Sequence, residues 1–147
     1  LKSFSVNSIG AILVVKAFAQ LLQQAGKSGG ATVQHPAVVA NLSARVSSIE
    51  DNRLGGWMSY RASKAALNQL TKCTALEFAR KKQLISCILL HPGTVDTDLS
   101  KPFQKNVLPE KLFSKERAIG QLLDIVERVC MEDTGTFYAW DGSKIPW

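Results

Sequence analysis

The stretch "LISCILLHPG" (residues 84–93) is apolar at nearly every position until it meets a Pro-Gly turn. A strand with one wet face alternates apolar and polar residues. A run without alternation fits a strand buried on both faces, as in a parallel sheet between two helical layers. The reading of the whole chain depends on this segment.

Working outward, the residues before it, from Tyr60 to about Lys82, have helical spacing, with Leu67, Leu70, Thr74 and Phe78 on one face. Further upstream, "AVVANLS" (37–43) is short and rich in β-branched residues, a second buried strand. Residues 44–56 form a loop. Residues 4–25 predict a helix, with Val6, Ile9, Leu13, Ala17 and Leu21 spaced by three and four, and Gly26 as its C-cap. Downstream, residues 97–110 are irregular. Residues 114–131 are an amphipathic helix with Ile119, Leu122, Val126 and Val129 in register, and Thr136–Trp140 is a last strand. Helix and strand therefore alternate. That order predicts an α/β fold, a parallel doubly wound sheet joined by right-handed crossovers, forming one domain or part of one.

Composition narrows the function classes. The chain has 147 residues, 46% hydrophobic and 20% charged, the balance of an ordinary globular domain. Its net charge of +6 is scattered, without the aromatic-basic interleaving of a nucleic-acid surface, so nucleic acid is not an expected partner. Positive charge of this kind favours anionic small molecules. No unbroken apolar run reaches 18 residues, and no membrane span is expected. Cys73, Cys87 and Cys130 are far apart and read as three reduced core thiols in an intracellular, cytoplasmic protein; a targeting segment upstream stays open. His35 and His91 lie in no metal-ligand pattern, and no metal site is expected.

The chemistry centres on "SYRASKAAL" (59–67). Tyr60 and Lys64 stand at i and i+4 and share a helix face. A phenol titrating near about 10 is a poor acid-base group at neutral pH, and a nearby ammonium stabilises its phenolate. So assisted, a tyrosine can exchange a proton with a carbonyl oxygen. Ala62, Ser63, Ala65 and Ala66 leave room for close backbone approach.

Four motifs in order resemble the short-chain dehydrogenase/reductase family: "SVNSIGAILVVKAF", "VVANLS", "SYRASKAAL" and "HPGTVDTDL". The loop before Tyr60 and the ending "WDGSKIPW" are similar to its carbonyl reductase, sniffer and C-factor subgroup. The resemblance implies a Rossmann-like fold and an NAD(P)H-dependent carbonyl reduction. Tyr60 would be the acid/base, and Lys64 would lower its pKa and bind the nicotinamide ribose. Asn7 would hold a water in the proton relay. Pro92 and Gly93 would shape the turn beside the nicotinamide, with the Val95 backbone and the Thr97 hydroxyl meeting its carboxamide.

The family's catalytic serine falls on Ala44, since "NLSA" replaces N-x-S-S; Ser43 would face the other way along the strand. Ser48, twelve residues before Tyr60, becomes the candidate for polarising the carbonyl. Residues 100–112, with Trp57, Met58 and Phe103, are expected to cover a pocket for an apolar aldehyde or ketone.

The family's Gly-rich phosphate turn is absent. "GKSGGA" (26–31) follows a helix and precedes a strand, the reverse of the required order. The resemblance thus makes residues 1–147 the C-terminal catalytic part of one NAD(P)-binding domain, with roughly 90 residues of earlier β-α units expected upstream. One sheet edge would then stand open, and the chain alone would be weak or inactive. NADP is favoured over NAD. A homo-oligomer is expected through the helices of Asn7 and Tyr60, with Leu13, Ala17, Leu67 and Leu70 serving that contact or the core. The alternative is a non-catalytic interaction or regulatory module.

Overall fold

The apolar run is the central strand of the sheet. In the computed structural model, which describes every residue except Ser28, β2 (Ile85–His91) is buried at its first six positions. It pairs in parallel with β1 (Ala37–Leu42) on one side and β5 (Phe137–Ala139) on the other, in the order β1-β2-β5. Ile85 and Cys87 pack with Val15, Ala75 and Phe78, and Leu89 packs with Leu67. On the other face Ile88 and Leu90 pack with Ile125, Val129 and Tyr138. Both faces of β2 are covered, which is why its sequence does not alternate.

The first face carries two helices. The amino-terminal helix, Lys2–Lys27, runs as α1 (Lys2–Phe4), a π-helical turn (Ser5–Gly10) and α2 (Ala11–Lys27). Beside it lies α3 (Met58–Arg80), whose buried stripe includes Ser63, Leu67, Thr71, Ala75 and Phe78. On the opposite face, α4 (Lys115–Arg128) is capped by Ser114, whose Oγ accepts from the Arg117 amide. It buries Ala118 and Ile125 and leaves Ile119 exposed.

The stripe Val6, Ile9, Leu13, Ala17 and Leu21 is helical and faces outward, with Val6 66% and Leu13 57% exposed, so Leu13 and Ala17 are not core residues. The packing side is instead Ser8, Ala11, Val15 and Leu22. Apolar spacing identified the helix and not its buried face, because its apolar residues extend well beyond the side that packs on the sheet. For the same reason Lys2–Lys27 is long and apolar enough to cross a membrane by length and composition (hydropathy 1.6), which a search for an unbroken run does not detect. Gly26 does not cap the helix, which continues to Lys27. Leu67 belongs to the core, at 2% exposure, and is no surface contact. Cys73 is exposed and no core thiol, whereas Cys87 is buried and its thiol is pushed up to about 12 by desolvation.

The sheet ends at β1. Beyond it, Ala11, Val14, Val15, Phe18 and Leu22 of the helix form an apolar groove with residues 38–41 of the strand, about 370 Å³ in volume. Among the described residues β1 has no strand partner on its outer side. A feature unread in the sequence is a second, two-stranded parallel pair, β3 (Thr94–Val95) with β4 (Leu112–Phe113). It closes the irregular segment into a loop, with short 3₁₀ turns at Lys101–Asn106 and Pro109–Lys111.

Candidate active site

The candidate residues gather at the carboxyl ends of β1 and β2 and on the first turns of α3, where open α/β sheets bind ligands. Tyr60 and Lys64 lie one turn apart on α3, both about half-buried. The Lys64 Nζ donates to the carbonyl oxygen of Leu42, at the end of β1, at 2.9 Å. Burial pushes the Tyr60 phenol up and the Lys64 ammonium down. The shift of each group has burial as its cause, and the ammonium is turned to Leu42.

Asn7 sits inside the π-turn, a helical distortion often found at functional sites. Its Nδ2 donates to Ser63 Oγ at 3.0 Å, and Ser63 Oγ donates to the Tyr60 carbonyl at 2.8 Å. Ser8 Oγ reaches the Ser63 carbonyl at 2.6 Å. The π-turn is thus fastened to α3 between Tyr60 and Lys64. Ser63, fully buried, explains the small residue beside Lys64.

The serines divide as the strand geometry requires. Ser43 Oγ donates into the interior, to Asn68 Oδ1 at 2.6 Å. Asn68 Nδ2 in turn donates to Ser47 Oγ at 2.7 Å. Ala44 is extended backbone. Ser48 is 1% exposed, and its Oγ accepts from the Asp51 amide at 3.1 Å. No hydrogen bond links Ser48 to Tyr60 among the described residues. Asn68 and Arg61 went unread, since both lie off the apolar face of α3 that the spacing marks. Arg61 donates from all three guanidinium nitrogens to the carbonyls of Val46, Gly55 and Gly56.

The turn after β2 is built for close approach. Gly93 has φ +76, and a Cβ there would come within 2.6 Å of the Phe113 ring and 3.1 Å of Trp140. Phe113 and Trp140 meet edge to face, with Arg117 stacked 3.9 Å above Phe113. Past the turn, Ser100 Oγ donates to the Val95 carbonyl at 2.6 Å and accepts from the Thr97 amide at 3.2 Å. The Thr97 hydroxyl makes only a long bond, 3.4 Å, to the same carbonyl. Ser100, expected as the start of the pocket cover, is buried and shapes the segment expected to meet a carboxamide. Trp57 and Phe103 come together at 5.8 Å between ring centroids, while Met58 stays exposed. A polar cleft of about 370 Å³ runs beside Thr97, lined also by Asp96, Asp98, Lys101 and Ser114. It includes neither Tyr60 nor Lys64.

The geometry fits one end of a dinucleotide. Half-buried Tyr60 and Lys64 are residue types that suit a nicotinamide ribose, while the Gly93 turn is packed closely on Phe113 and Trp140. The pyrophosphate end finds no cradle among the described residues, since Gly26, Gly29 and Gly30 lie between a helix and β1 and not after a strand.

Residues 1–108 match the family model described as short chain dehydrogenase. The chain belongs to the short-chain dehydrogenase family. It is 32% identical over 148 residues to 1-hydroxy-2-glutathionyl-2-methyl-3-butene dehydrogenase of Rhodococcus sp. (strain AD45), covering 99% of this chain and 58% of that protein. It is 29% identical to the C-signal protein of Myxococcus xanthus, over 99% of this chain and 77% of that one. Among solved structures, NADPH-bound carbonyl reductase from chicken fatty liver superposes with a TM-score of 0.84 at 31% identity, over all of this chain and 58% of that one. Carbonyl reductase Sniffer of D. melanogaster gives 0.85 at 29% identity, over 98% and 55%. This short-chain dehydrogenase thus spans little more than half of three of these four relatives, and its family is one of oxidoreductases.

Proposed function

We propose that this chain carries the catalytic end of an NADPH-dependent carbonyl reductase that converts an apolar aldehyde or ketone to the alcohol. The observation that supports the reading is that Tyr60 and Lys64 share one face of α3, with Lys64 bonded to the carboxyl end of β1 in a parallel sheet. When bound, the nicotinamide supplies the hydride. The Tyr60 hydroxyl gives its proton to the carbonyl oxygen and is held protonated by its burial until it does so. Lys64 would hold the ribose of a bound nicotinamide and would offset the cost of the phenolate that forms. Ser48 polarises the carbonyl, and Asn7, through Ser63, holds the backbone of α3 in place behind the pair. Trp57 and Phe103 form an apolar wall.

NADP over NAD is supported by the NADPH-bound carbonyl reductase and by the positive charge of the chain. Residues 1–147 would be the C-terminal part of one nucleotide-binding domain, working in the cytoplasm. Weak turnover follows from the absent pyrophosphate cradle. The outward stripe of Ile9, Leu13 and Ala17 suits a second copy of the chain. A second reading, a non-catalytic regulatory module, draws on one observation: Ala44 stands where the family's serine is expected.

The test is reduction of an apolar aldehyde, followed by loss of NADPH absorbance, by the wild-type chain and by Tyr60→Phe. A fall of about 10²- to 10⁴-fold is expected. Equal rates would mean that Tyr60 is not the acid.

A further inference from the structure

The loop between β1 and α3 is held in an unusual way. Gly55, Gly56 and Trp57 have φ of +65, +74 and +48, three left-handed residues in succession, the last of them non-glycine and bulky. Such backbone persists only where the surroundings over-determine it. Here the determinant is Arg61, the residue after Tyr60. Its Nε donates to the Gly56 carbonyl at 2.9 Å, its Nη2 to Gly55 at 2.8 Å and its Nη1 to Val46 at 3.0 Å. The guanidinium also lies 6.0 Å from the centroid of the Trp57 ring. No carboxylate pairs with it among the described residues, whose ion pairs are Arg45–Asp51 and Lys101–Asp98. The whole fork is spent on loop carbonyls.

We propose that Arg61 is a positioning residue: its guanidinium latches the loop carrying Ser48 and Trp57 to the catalytic helix and so sets the Ser48 hydroxyl and the Trp57–Phe103 wall relative to Tyr60. The inference rests on the carbonyl-reductase reading for its catalytic consequence. The latch itself is a matter of geometry. Both ends of the loop are tied at once, since Val46 is two residues from Ser48 and Gly56 adjoins Trp57. One rigid side chain therefore couples the polarising group to the substrate wall. A lysine keeps the charge but cannot present three donors in a planar fork.

Arg53 lies exposed in the same loop, so trypsin cutting after it reports on the latch. In the full chain, Arg61→Lys and Arg61→Ala should be cut after Arg53 at least tenfold faster than wild type. Low-millimolar guanidinium should slow the cutting of Arg61→Ala, and methylammonium should not. In aldehyde reduction, Arg61→Lys should lower kcat at least tenfold and leave the KM for NADPH within twofold. Folded variants cut at the wild-type rate would overturn the latch. Faster cutting with unchanged kcat would overturn its positioning role. Absence of turnover in wild type would sink the carbonyl-reductase reading alone, with the cutting rates and their rescue by guanidinium still deciding the latch.

Discussion

Lys64 donates its ammonium to the backbone carbonyl of Leu42 at 2.9 Å, across the 22 residues that separate the end of β1 from the first turns of α3. Leu42 ends the open-edged strand, and its carbonyl accepts from the lysine that the proposed mechanism assigns to the ribose. Tyr60 meanwhile is pushed up by burial and is a protonated phenol at neutral pH. Lys64→Met should therefore cost more in turnover than in stability: about 10²-fold or more in kcat for carbonyl reduction, with a melting temperature close to wild type. The reduction rate should stay flat through neutral pH and fall only as pH rises through the raised Tyr60 pKa. Steady-state rates from pH 6 to 11 check this, and an acidic optimum would argue for another proton donor.

Three serines sit within six residues, and their partners separate their roles. Ser43 and Ser47 share Asn68 in the interior, so Ser47→Ala leaves a buried amide short of a partner and should cost about 1–3 kcal/mol. Ser48 bonds only a loop amide, so Ser48→Ala should change stability little and lower kcat at least tenfold. Urea unfolding and turnover of the two variants would be compared. A reversed pattern would assign the polarising hydroxyl to Ser47.

Gly93 admits no side chain. A methyl would meet the Phe113 ring at 2.6 Å, and φ +76 is strained for alanine. Gly93→Ala should destabilise the chain by about 2–4 kcal/mol. Urea midpoints measure it; a loss below about 0.5 kcal/mol would mean that the turn relaxes freely.

His91 gives the chain a pH dependence. Its ring is largely buried with Nδ1 unpartnered, and desolvation, helped by Arg45 and opposed by Asp141, lowers it from 6.5 to about 4. The folded state thus binds its proton more weakly than the unfolded state. Stability is fully present above about pH 6.5 and drains away as pH falls towards about 4, by up to about 3 kcal/mol. His91→Asn should flatten that window. Urea midpoints at pH 4.5 and 7 would decide, and an equal slope in both proteins would place the effect elsewhere.

Much of this was legible from residue order. The unbroken apolar run of β2, the Tyr60–Lys64 spacing and the Pro92-Gly93 stop each follow from a local rule, and local rules survive folding. What could not be read depends on partners distant in the chain. The outward stripe of the amino-terminal helix reads like a core face because both sides are apolar, and only the sheet decides which is covered. Arg61 and Asn68 look like solvent-facing polar residues until the loop folds back on them. The engagement of Lys64 by Leu42 depends on where an edge strand ends, which no spacing within α3 encodes.

The most direct test of the central claim is a titration of NADPH into the folded 147-residue chain, followed by nicotinamide fluorescence and repeated with Lys64→Met. Weak but saturable binding that the substitution abolishes is the expected result. A folded chain that binds no NADPH, or binds it equally well without Lys64, would contradict the placement of the nicotinamide site at Tyr60 and Lys64.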